Sequence, residues 1–321
     1  SQAGNIFLGL GDLEKAAGHF ETALRINPND WSAHNNLGLL YSRQGKHDLA
    51  LRSFQQAVLL ESDNPEAHNN LGHTYLNQML FQEAAAELKK ALALRPDYKK
   101  AIINLGLVCF YQRNFHQAEQ EYRKVIELDK ECAEAHSHLG ILYLDKGDFA
   151  GSLASFQEVL RLQPNDPLTH YYLGKALHGS GKIDQAIEAW QKALSLKPDL
   201  AAARLYLGNA FFEKDLVQEA IQEWEMALAG RNIDLFTHVM NLGQAYAQMK
   251  DYEKAARAWQ KAKDFNPPNH QPYYFLGTLY LYQGSYQRAY EEIEACIRLQ
   301  PDNQPARVLL ERIRSSIAGM P

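Results

Sequence analysis

The stretch that decides the fold spans residues 31–64 and reads WSAHNNLGLLYSRQGKHDLALRSFQQAVLLESDN. Residues 65–72 open the next stretch in nearly the same way, with PEAHNNLG. The Leu-Gly pair recurs every 34 residues with one step of 35, at Leu37-Gly38, Leu71-Gly72, Leu105-Gly106, Leu139-Gly140, Leu173-Gly174, Leu207-Gly208, Leu242-Gly243 and Leu276-Gly277. Such a period indicates a chain assembled from copies of one small structural unit.

The repeats share residue types at fixed positions when each is numbered from Trp31 and its equivalents. Position 8 is Gly in nine of nine repeats, counting Gly4, and position 20 is Ala in eight of nine, with Ser152 the exception. Position 32 is Pro in six repeats. Position 24 is always large and apolar: Phe20, Phe54, Leu88, Tyr122, Phe156, Trp190, Trp224, Trp259 and Ile293.

This pattern predicts two amphipathic helices in each repeat. Positions 4, 7, 8 and 11 share one helical face, as do positions 20, 24, 27 and 28. We therefore expect helix A over about positions 2–14 and helix B over about positions 18–30. Gly costs about 1 kcal/mol in a helix interior, so its recurrence at position 8 predicts close packing of the two helices. No repeat buries its apolar face alone, and stacking supplies the core.

The period and the residues at positions 7, 8, 11, 20, 24, 27 and 32 resemble the tetratricopeptide repeat. AHNNLG at 33–38, AIEAWQKALSLKPD at 186–199 and DYEKAARAWQKA at 251–262 carry the resemblance. It implies an all-α fold, a right-handed superhelical α-solenoid of antiparallel helix pairs with helix A on the concave side. The implied repeats are a partial one at 1–30, then 31–64, 65–98, 99–132, 133–166, 167–200, 201–235, 236–269 and 270–303, with a capping helix at 304–318 in one continuous solenoid.

Two places depart from the regular pattern. The first repeat begins only at position 5, with Ser1, so we expect that a membrane anchor, further repeats or another domain precedes it; a frayed native end is the alternative. One extra residue precedes the eighth repeat, and Gly230 stands in a segment without the usual proline. This predicts a local change of superhelical angle near Gly230 to Phe236.

By the resemblance, positions 2, 5, 9, 12 and 13 of helix A line the concave groove. These positions are apolar and aromatic in the middle of the chain, and exposed apolar surface usually marks an interface. We therefore hypothesise that a partner's peptide or helix binds between about Ile103 and Phe212; packing of these side chains against one another is the alternative. The candidate residues are Asn35, Asn69, His73, Ile103, Leu107, Phe110, Tyr111, Ile141, Leu144, Tyr171, Lys175, Leu205, Asn209, Phe212 and Tyr274.

Two known binding modes of the family make specific demands on the residues at these helix A positions. Some members hold chaperone carboxylates with a clamp that needs Lys at position 5, which no repeat here has, so no clamp is predicted. Asn recurs at position 6, which resembles the peptide-binding asparagine ladder in protein O-linked N-acetylglucosamine transferases. A ladder and an ordinary repeat position both stay open, because position 6 is Asn at Asn36, Asn70, Asn104 and Asn241 but lapses at His138, Tyr172, Tyr206 and Phe275.

Neither catalysis nor metal binding is indicated by the sequence. Cys132, His136 and His138 have the one metal-like spacing, but positions 4 and 6 of a helix point about 200° apart. Cys109 and Cys296 fall at core positions, and no H-E-x-x-H or G-x-S-x-G motif occurs. Position 4 carries His34, His68, His136 and His170, which predicts packing. We predict no enzyme activity, no cofactor and no metal.

The composition of the chain limits the classes of partner that it is expected to bind. Of 321 residues 46% are hydrophobic and 22% charged, and the net charge of −5 offers no basic field for nucleic acid. No apolar stretch approaches the roughly 20 residues of a membrane span. Three cysteines favour a reducing compartment, hence a cytoplasmic location, unless an N-terminal anchor or signal was removed. The expected partner is a protein or peptide; a substrate-recruiting region of a larger enzyme such as a glycosyltransferase, and self-association, are alternatives.

Overall fold

The computed structural model describes residues 2–228 and 236–318. These residues form α-helices joined by short turns, without a strand among them, which confirms the prediction of an all-α helical-repeat solenoid. The chain divides into two compact units, residues 1–164 (unit 1) and residues 165–321 (unit 2). The predicted change of angle near Gly230 to Phe236 falls on residues 229–235, outside the described residues, and the single continuous solenoid stays a prediction.

Unit 1 is a series of helix pairs in which each odd-numbered helix is a helix A and each even-numbered helix is a helix B. Its helices are α1 (Gln2–Gly9), α2 (Leu13–Ile26), α3 (Trp31–Arg43), α4 (His47–Leu60), α5 (Pro65–Asn77), α6 (Phe81–Leu94), α7 (Lys99–Tyr111), α8 (Phe115–Leu128), α9 (Ala133–Lys146) and α10 (Phe149–Leu162).

Unit 2 continues the same alternation and ends with one unpaired helix. Its helices are α11 (Pro167–Gly179), α12 (Ile183–Leu196), α13 (Ala201–Glu213), α14 (Val217–Leu228), α15 (Phe236–Gln248), α16 (Tyr252–Phe265), α17 (Gln271–Tyr282), α18 (Tyr286–Leu299) and α19 (Gln304–Ala318). The last helix, α19, buries Ala306, Leu310 and Ile313 against the core of α18.

Within each repeat the position-8 glycine lies directly against the large side chain at position 24. A Cβ atom on Gly38 would lie 2.6 Å from the Phe54 ring, and one on Gly106 would lie 2.5 Å from the Tyr122 ring. Phe54 and Tyr122 are almost fully buried, with 2% and 1% of their surface exposed. The glycine therefore lets the ring of helix B rest on the backbone of helix A, which explains why it recurs inside a helix.

In several repeats a polar side chain at position 4 joins the repeat to the loop before it. Nε2 of His34 donates a hydrogen bond to the backbone carbonyl of Pro28 at 3.0 Å. Nε2 of His136 bonds the carbonyl of Lys130 at the same distance. The hydroxyl of Tyr273 donates to the carbonyl of Pro267 at 3.1 Å. The repeated histidine is therefore a hydrogen-bonding residue of the junction as well as a packing residue.

Glu119 is the centre of the junction between α8 and α9. Its carboxylate accepts hydrogen bonds from the Tyr143 hydroxyl at 2.8 Å, Arg123 Nε at 3.1 Å and Lys146 Nζ at 3.0 Å. Partial burial raises the pKa of Glu119, but these three hydrogen bonds outweigh it and lower the pKa to about 2. The ionised carboxylate therefore stabilises the contact between the two repeats.

We expect Gly38→Ala to destabilise unit 1 by about 1–3 kcal/mol, because the buried Phe54 ring has to move away from the added methyl group. Gly18→Ala is the matched control, since Gly18 lies within α2 with nothing within 4 Å of the added atom. That change should stabilise the protein by about 0.5–1 kcal/mol through helix propensity. Urea denaturation followed by circular dichroism measures both, and equal effects of the two substitutions would refute the packing role.

We expect Glu119→Gln to lower the free energy of unfolding by about 2–4 kcal/mol at pH 7, from the difference between the pKa of 4.5 in the unfolded chain and about 2 in the folded one. Because the folded pKa is the lower one, this stabilisation is complete above pH 4.5 and is lost as the pH falls towards 2. Urea denaturation between pH 7 and pH 3 checks this. Glu127→Gln on the exposed side of α8 is the control, and a pH-independent difference contradicts the prediction.

Candidate functional site

The groove-lining positions predicted from the sequence lie on the helix A surfaces. In unit 1 these helices approach one another directly, α5 against α7 and α7 against α9. We call the surface formed by positions 2, 5, 9, 12 and 13 of α3, α5, α7 and α9 the helix-A face of unit 1. The same positions of α11, α13, α15 and α17 form the helix-A face of unit 2.

Two of the candidate asparagines are part of an internal chain of amides. Nδ2 of Asn70 donates to Oδ1 of Asn35 at 2.9 Å, and Nδ2 of Asn104 donates to Oδ1 of Asn69 at 2.9 Å. Nδ2 of Asn69 in turn donates to Oδ1 of Asn70 at 3.3 Å. Asn35 and Asn69 are only 6% and 4% exposed. These amides link α3, α5 and α7, and they are occupied with one another.

Two apolar candidates belong to the core. Ile103 is 2% exposed and packs with Ile102, Val125 and Ala135. Leu205 is 7% exposed and lies in the large cluster of unit 2 that includes Trp224. A ligand on the surface would not reach either side chain without a rearrangement of the core.

The open part of the helix-A face of unit 1 is aromatic. Tyr111 is 54% exposed, its ring stacks on Phe81 with centroids 6.1 Å apart, and Phe110 meets it edge-on at 5.6 Å. Leu107 is half-buried beside them, as are Ile141 and Leu144 on α9. A pocket of about 280 Å³, which we call the α5–α7 pocket, is lined by His73, Leu76, Asn77, Met79, Phe81, Leu107 and Tyr111.

Two lining residues of this pocket, Met79 and Phe81, were not among the predicted candidates. They lie in and just after the turn between α5 and α6, at positions 15 and 17, rather than on helix A. The signal that was available in the sequence is the pair Met79-Leu80, because positions 15 and 16 of the other repeats are mostly glycine or polar. Surface at the turn edge therefore extends the candidate site beyond the groove positions.

The helix-A face of unit 2 is built around Lys175. Its ammonium group lies 5.8 Å from the ring centroids of Tyr171 and Tyr172 and 5.4 Å from that of Tyr206. Rings at this distance attract a cation through their electron-rich faces. Burial, the neighbouring tyrosines and a hydrogen bond with Tyr206 raise the pKa of Tyr171, so that its hydroxyl stays protonated. Lys175 thus lies within cation–π distance of three tyrosine rings.

The remaining candidates of unit 2 are spread along its face. Phe212 packs on Trp224 with centroids 5.5 Å apart, and Oδ1 of Asn209 accepts a hydrogen bond from Nε1 of Trp224 at 3.1 Å. Tyr274 lies in a second pocket, of about 230 Å³, near the start of α19; its other lining residues are His270, Gln271, Phe275, Asn303 and Pro305. The candidates therefore form separate patches within the units.

The residues with metal-like spacing do not converge on one point. His136 is hydrogen-bonded to the Lys130 carbonyl, and the His138 ring stacks on Tyr122 with centroids 5.5 Å apart. Across residues 2–228 and 236–318, no three His, Cys, Asp or Glu side chains are grouped so as to hold a metal ion. Burial raises the pKa of the Cys296 thiol to about 11, which disfavours the nucleophilic thiolate.

Among the helices that the structure describes, none combines the length and the apolar composition that a membrane crossing requires.

Family models of the tetratricopeptide repeat match most of the chain. One described as TPR repeat matches residues 4–45 and 176–215. Three described as tetratricopeptide repeat match residues 35–99 and 103–167, residues 240–269, and residues 270–303.

Solved structures show the same fold at low sequence identity. A tetratricopeptide repeat protein from Parabacteroides merdae is 22% identical, with a TM-score of 0.61 over 75% of this chain and 96% of the other. The Cut9–Hcn1 hetero-tetramer of APC/C contains a chain 16% identical, with a TM-score of 0.58 over 94% of this chain and 59% of that one. PilF from Pseudomonas aeruginosa is 21% identical, with a TM-score of 0.58 over 63% of this chain and 92% of the other.

A curated relative matches a short segment. The BBSome complex member BBS4 of Bos taurus is 36% identical over 70 residues, which is 22% of this chain and 13% of the length of that relative.

We expect Asn69→Ala to destabilise unit 1 by about 1–3 kcal/mol, because the partly buried amides of Asn70 and Asn104 each lose a partner. Asn77→Ala on the same helix is the control, since Asn77 is exposed and its loss should change stability by less than about 0.5 kcal/mol. Urea midpoints of the two variants give the comparison. If Asn69→Ala were as stable as Asn77→Ala, the amide chain would have no structural role.

Proposed function

Since the chain belongs to the tetratricopeptide-repeat family, we propose that it is a protein–protein interaction scaffold that holds a peptide or helix of a partner on its helix-A faces. The observation that carries this proposal is the exposed aromatic surface of α7. Tyr111 leaves 54% of its surface to solvent beside an open apolar pocket. Aromatic side chains in such positions supply much of the energy of protein interfaces.

Pairing of α7 with α8 does not require this surface. The contact between α7 and α8 is made by Gly106 and Tyr122, with Leu105, Val108 and Cys109 buried around it. Leu107 lies outside that contact and packs only partly against neighbouring core clusters, and Tyr111 stacks on Phe81 of the preceding repeat, so both leave apolar surface in contact with solvent. Their apolar character is therefore best explained by a partner, since an apolar patch on a soluble protein commonly marks an interface.

The proposed contact residues are the candidates that solvent reaches at least in part. In unit 1 and unit 2 they are His73, Leu107, Phe110, Tyr111, Ile141, Leu144, Tyr171, Lys175, Asn209, Phe212 and Tyr274. Asn35, Asn69, Ile103 and Leu205 are left out because they are buried and have partners within the chain.

We propose that these residues bind and do not catalyse. A substrate-recruiting region of a larger enzyme is the second candidate, and a catalytic domain would then lie outside these residues. The asparagine ladder that suggested it has less support in unit 1, because Nδ2 of Asn70 and Nδ2 of Asn104 already donate to neighbouring asparagines.

The proposal is tested by affinity capture from the source organism followed by mass spectrometry, with Tyr111→Ala and Tyr171→Ala proteins beside the wild type. We expect at least one of them to lose a partner about tenfold, since an aromatic contact residue contributes about 1–2 kcal/mol or more. Leu59→Ala on α4 is the control, because Leu59 is 75% exposed on a helix B. If all three variants recover the same partners in the same amounts, binding on the helix-A faces is refuted.

A further inference from the structure

Lys175 differs from the residues at the equivalent positions of the other repeats. Positions 5 and 9 of the nine repeats hold amide, hydroxyl, histidine and apolar side chains, and Lys175 is the one Lys, Arg, Asp or Glu among them. The other repeats stack without a lysine at position 9, so the repeat itself does not require this residue. Its side chain is half-buried on the helix-A face of unit 2. Because burying a cation is costly unless the charge gains a partner, its surroundings indicate what that partner is.

The ammonium group of Lys175 lies against ring faces rather than oxygen acceptors. Its Nζ atom lies 5.4 Å from the ring centroid of Tyr206 and 5.8 Å from those of Tyr171 and Tyr172. An ammonium group has three N–H donors. In the part of the chain that the structure describes, no oxygen atom accepts a hydrogen bond from Lys175. Ring faces attract the charge but leave these donors for an acceptor from outside the chain.

The carboxylate on this part of the face has another partner. Glu213 is the one Asp or Glu at the groove positions of α11 and α13, and its two carboxylate oxygens each lie 3.0 Å from Nε2 of His178. The other described ion pairs of these two repeats do not include Lys175 either. Lys175 therefore carries a positive charge that no carboxylate of the described residues contacts directly.

A hydroxyl donor belongs to the same patch. The rings of Tyr171 and Tyr206 meet edge-on with centroids 5.7 Å apart, and their hydroxyls share a hydrogen bond. A phenol hydroxyl has one O–H, so this bond uses one of the two and leaves the other for a further acceptor. Fully buried Trp190 packs on Tyr206 with centroids 5.7 Å apart and supports its ring. We call Lys175, Tyr171, Tyr172 and Tyr206 the Lys175 patch.

We propose that the Lys175 patch binds the carboxylate of an Asp or Glu side chain in a partner's peptide segment. This inference rests on the proposed function and specifies what the helix-A face of unit 2 recognises. A carboxylate carries one negative charge and accepts several hydrogen bonds, which matches one ammonium group and one free hydroxyl donor. The ring faces keep water from one side of the ion pair, and an ion pair with less water around it is stronger.

The charge of the patch favours a carboxylate over a phosphate. A phosphorylated side chain carries about two negative charges and is usually held by a cluster of arginines. Lys175 is the one Lys or Arg at the groove positions of α11 and α13. One positive charge therefore matches the single charge of an Asp or Glu side chain.

The experiment uses the whole chain and an array of short synthetic peptides of varied sequence. Each peptide is made in versions with Glu, Gln, Lys or phosphoserine at one central residue. We expect the wild type to select Glu versions, with binding that weakens as salt rises. In fluorescence anisotropy, Gln in place of Glu should weaken the selected peptide by about fivefold or more, because a charge-assisted hydrogen bond contributes more than a neutral one.

Lys175→Met removes the charge and keeps an apolar side chain among the rings. It should weaken the Glu version by about fivefold or more and the Gln version by less than about twofold, so that the preference for Glu is lost. Lys175→Arg should retain the preference, since arginine is always charged. Lys192→Met is the matched control, because Lys192 is exposed on α12, a helix B, and this variant should bind both versions as the wild type does.

The comparison of Glu and Gln versions on the wild type does not depend on any variant. Equal binding of the two overturns the inference, as does a preference for Lys or phosphoserine, or a preference for Glu that survives in Lys175→Met. If peptides bind without a preference for Glu but lose binding to Tyr111→Ala, the proposed function stands and this inference fails. If no peptide binds, both proposals fail.

Discussion

The contact between a bare backbone and a large side chain is the constraint on which every repeat depends. At position 8 there is no Cβ atom, so the ring of Phe54 or Tyr122 lies on the main chain of the preceding helix. Where the large residue is tryptophan it also donates a hydrogen bond: Nε1 of Trp224 lies 3.3 Å from the carbonyl of Leu205. This contact closes each helix pair, and the stacked pairs bury the remaining apolar faces.

The sequence alone was sufficient for the class of fold, because the glycine and its partner recur at fixed spacing. It also predicted packing for the position-4 histidines, but their hydrogen bonds to loop carbonyls were not foreseeable. The acceptor is a backbone atom whose direction depends on the shape of the loop. Arg204 and Tyr273 make the same bond from the same position, so residue identity alone does not reveal the role.

The candidate site was predicted less completely, for reasons that particular residues show. Ile103 and Leu107 both occupy expected groove positions, yet the first is buried and the second half-buried, because position 5 lies closer to the next repeat. Asn69 is buried and accepts a hydrogen bond from Asn104, 35 residues away. A rule based on spacing within one repeat does not include amide pairing between repeats. Met79 was not predicted as a lining residue of the pocket, because residues at turn positions indicate where a helix ends and not whether apolar surface is exposed there.

The amide chain of Asn35, Asn70, Asn69 and Asn104 has an evolutionary consequence. Asn70 and Asn104 at position 6 each donate to the asparagine at position 5 of the repeat before, so three consecutive repeats are matched to one another in order. Tandem arrays commonly gain or lose copies through unequal recombination. In this segment a deleted or transposed copy would strand a buried amide, so these repeats are expected to be inherited as one block while other copies drift independently.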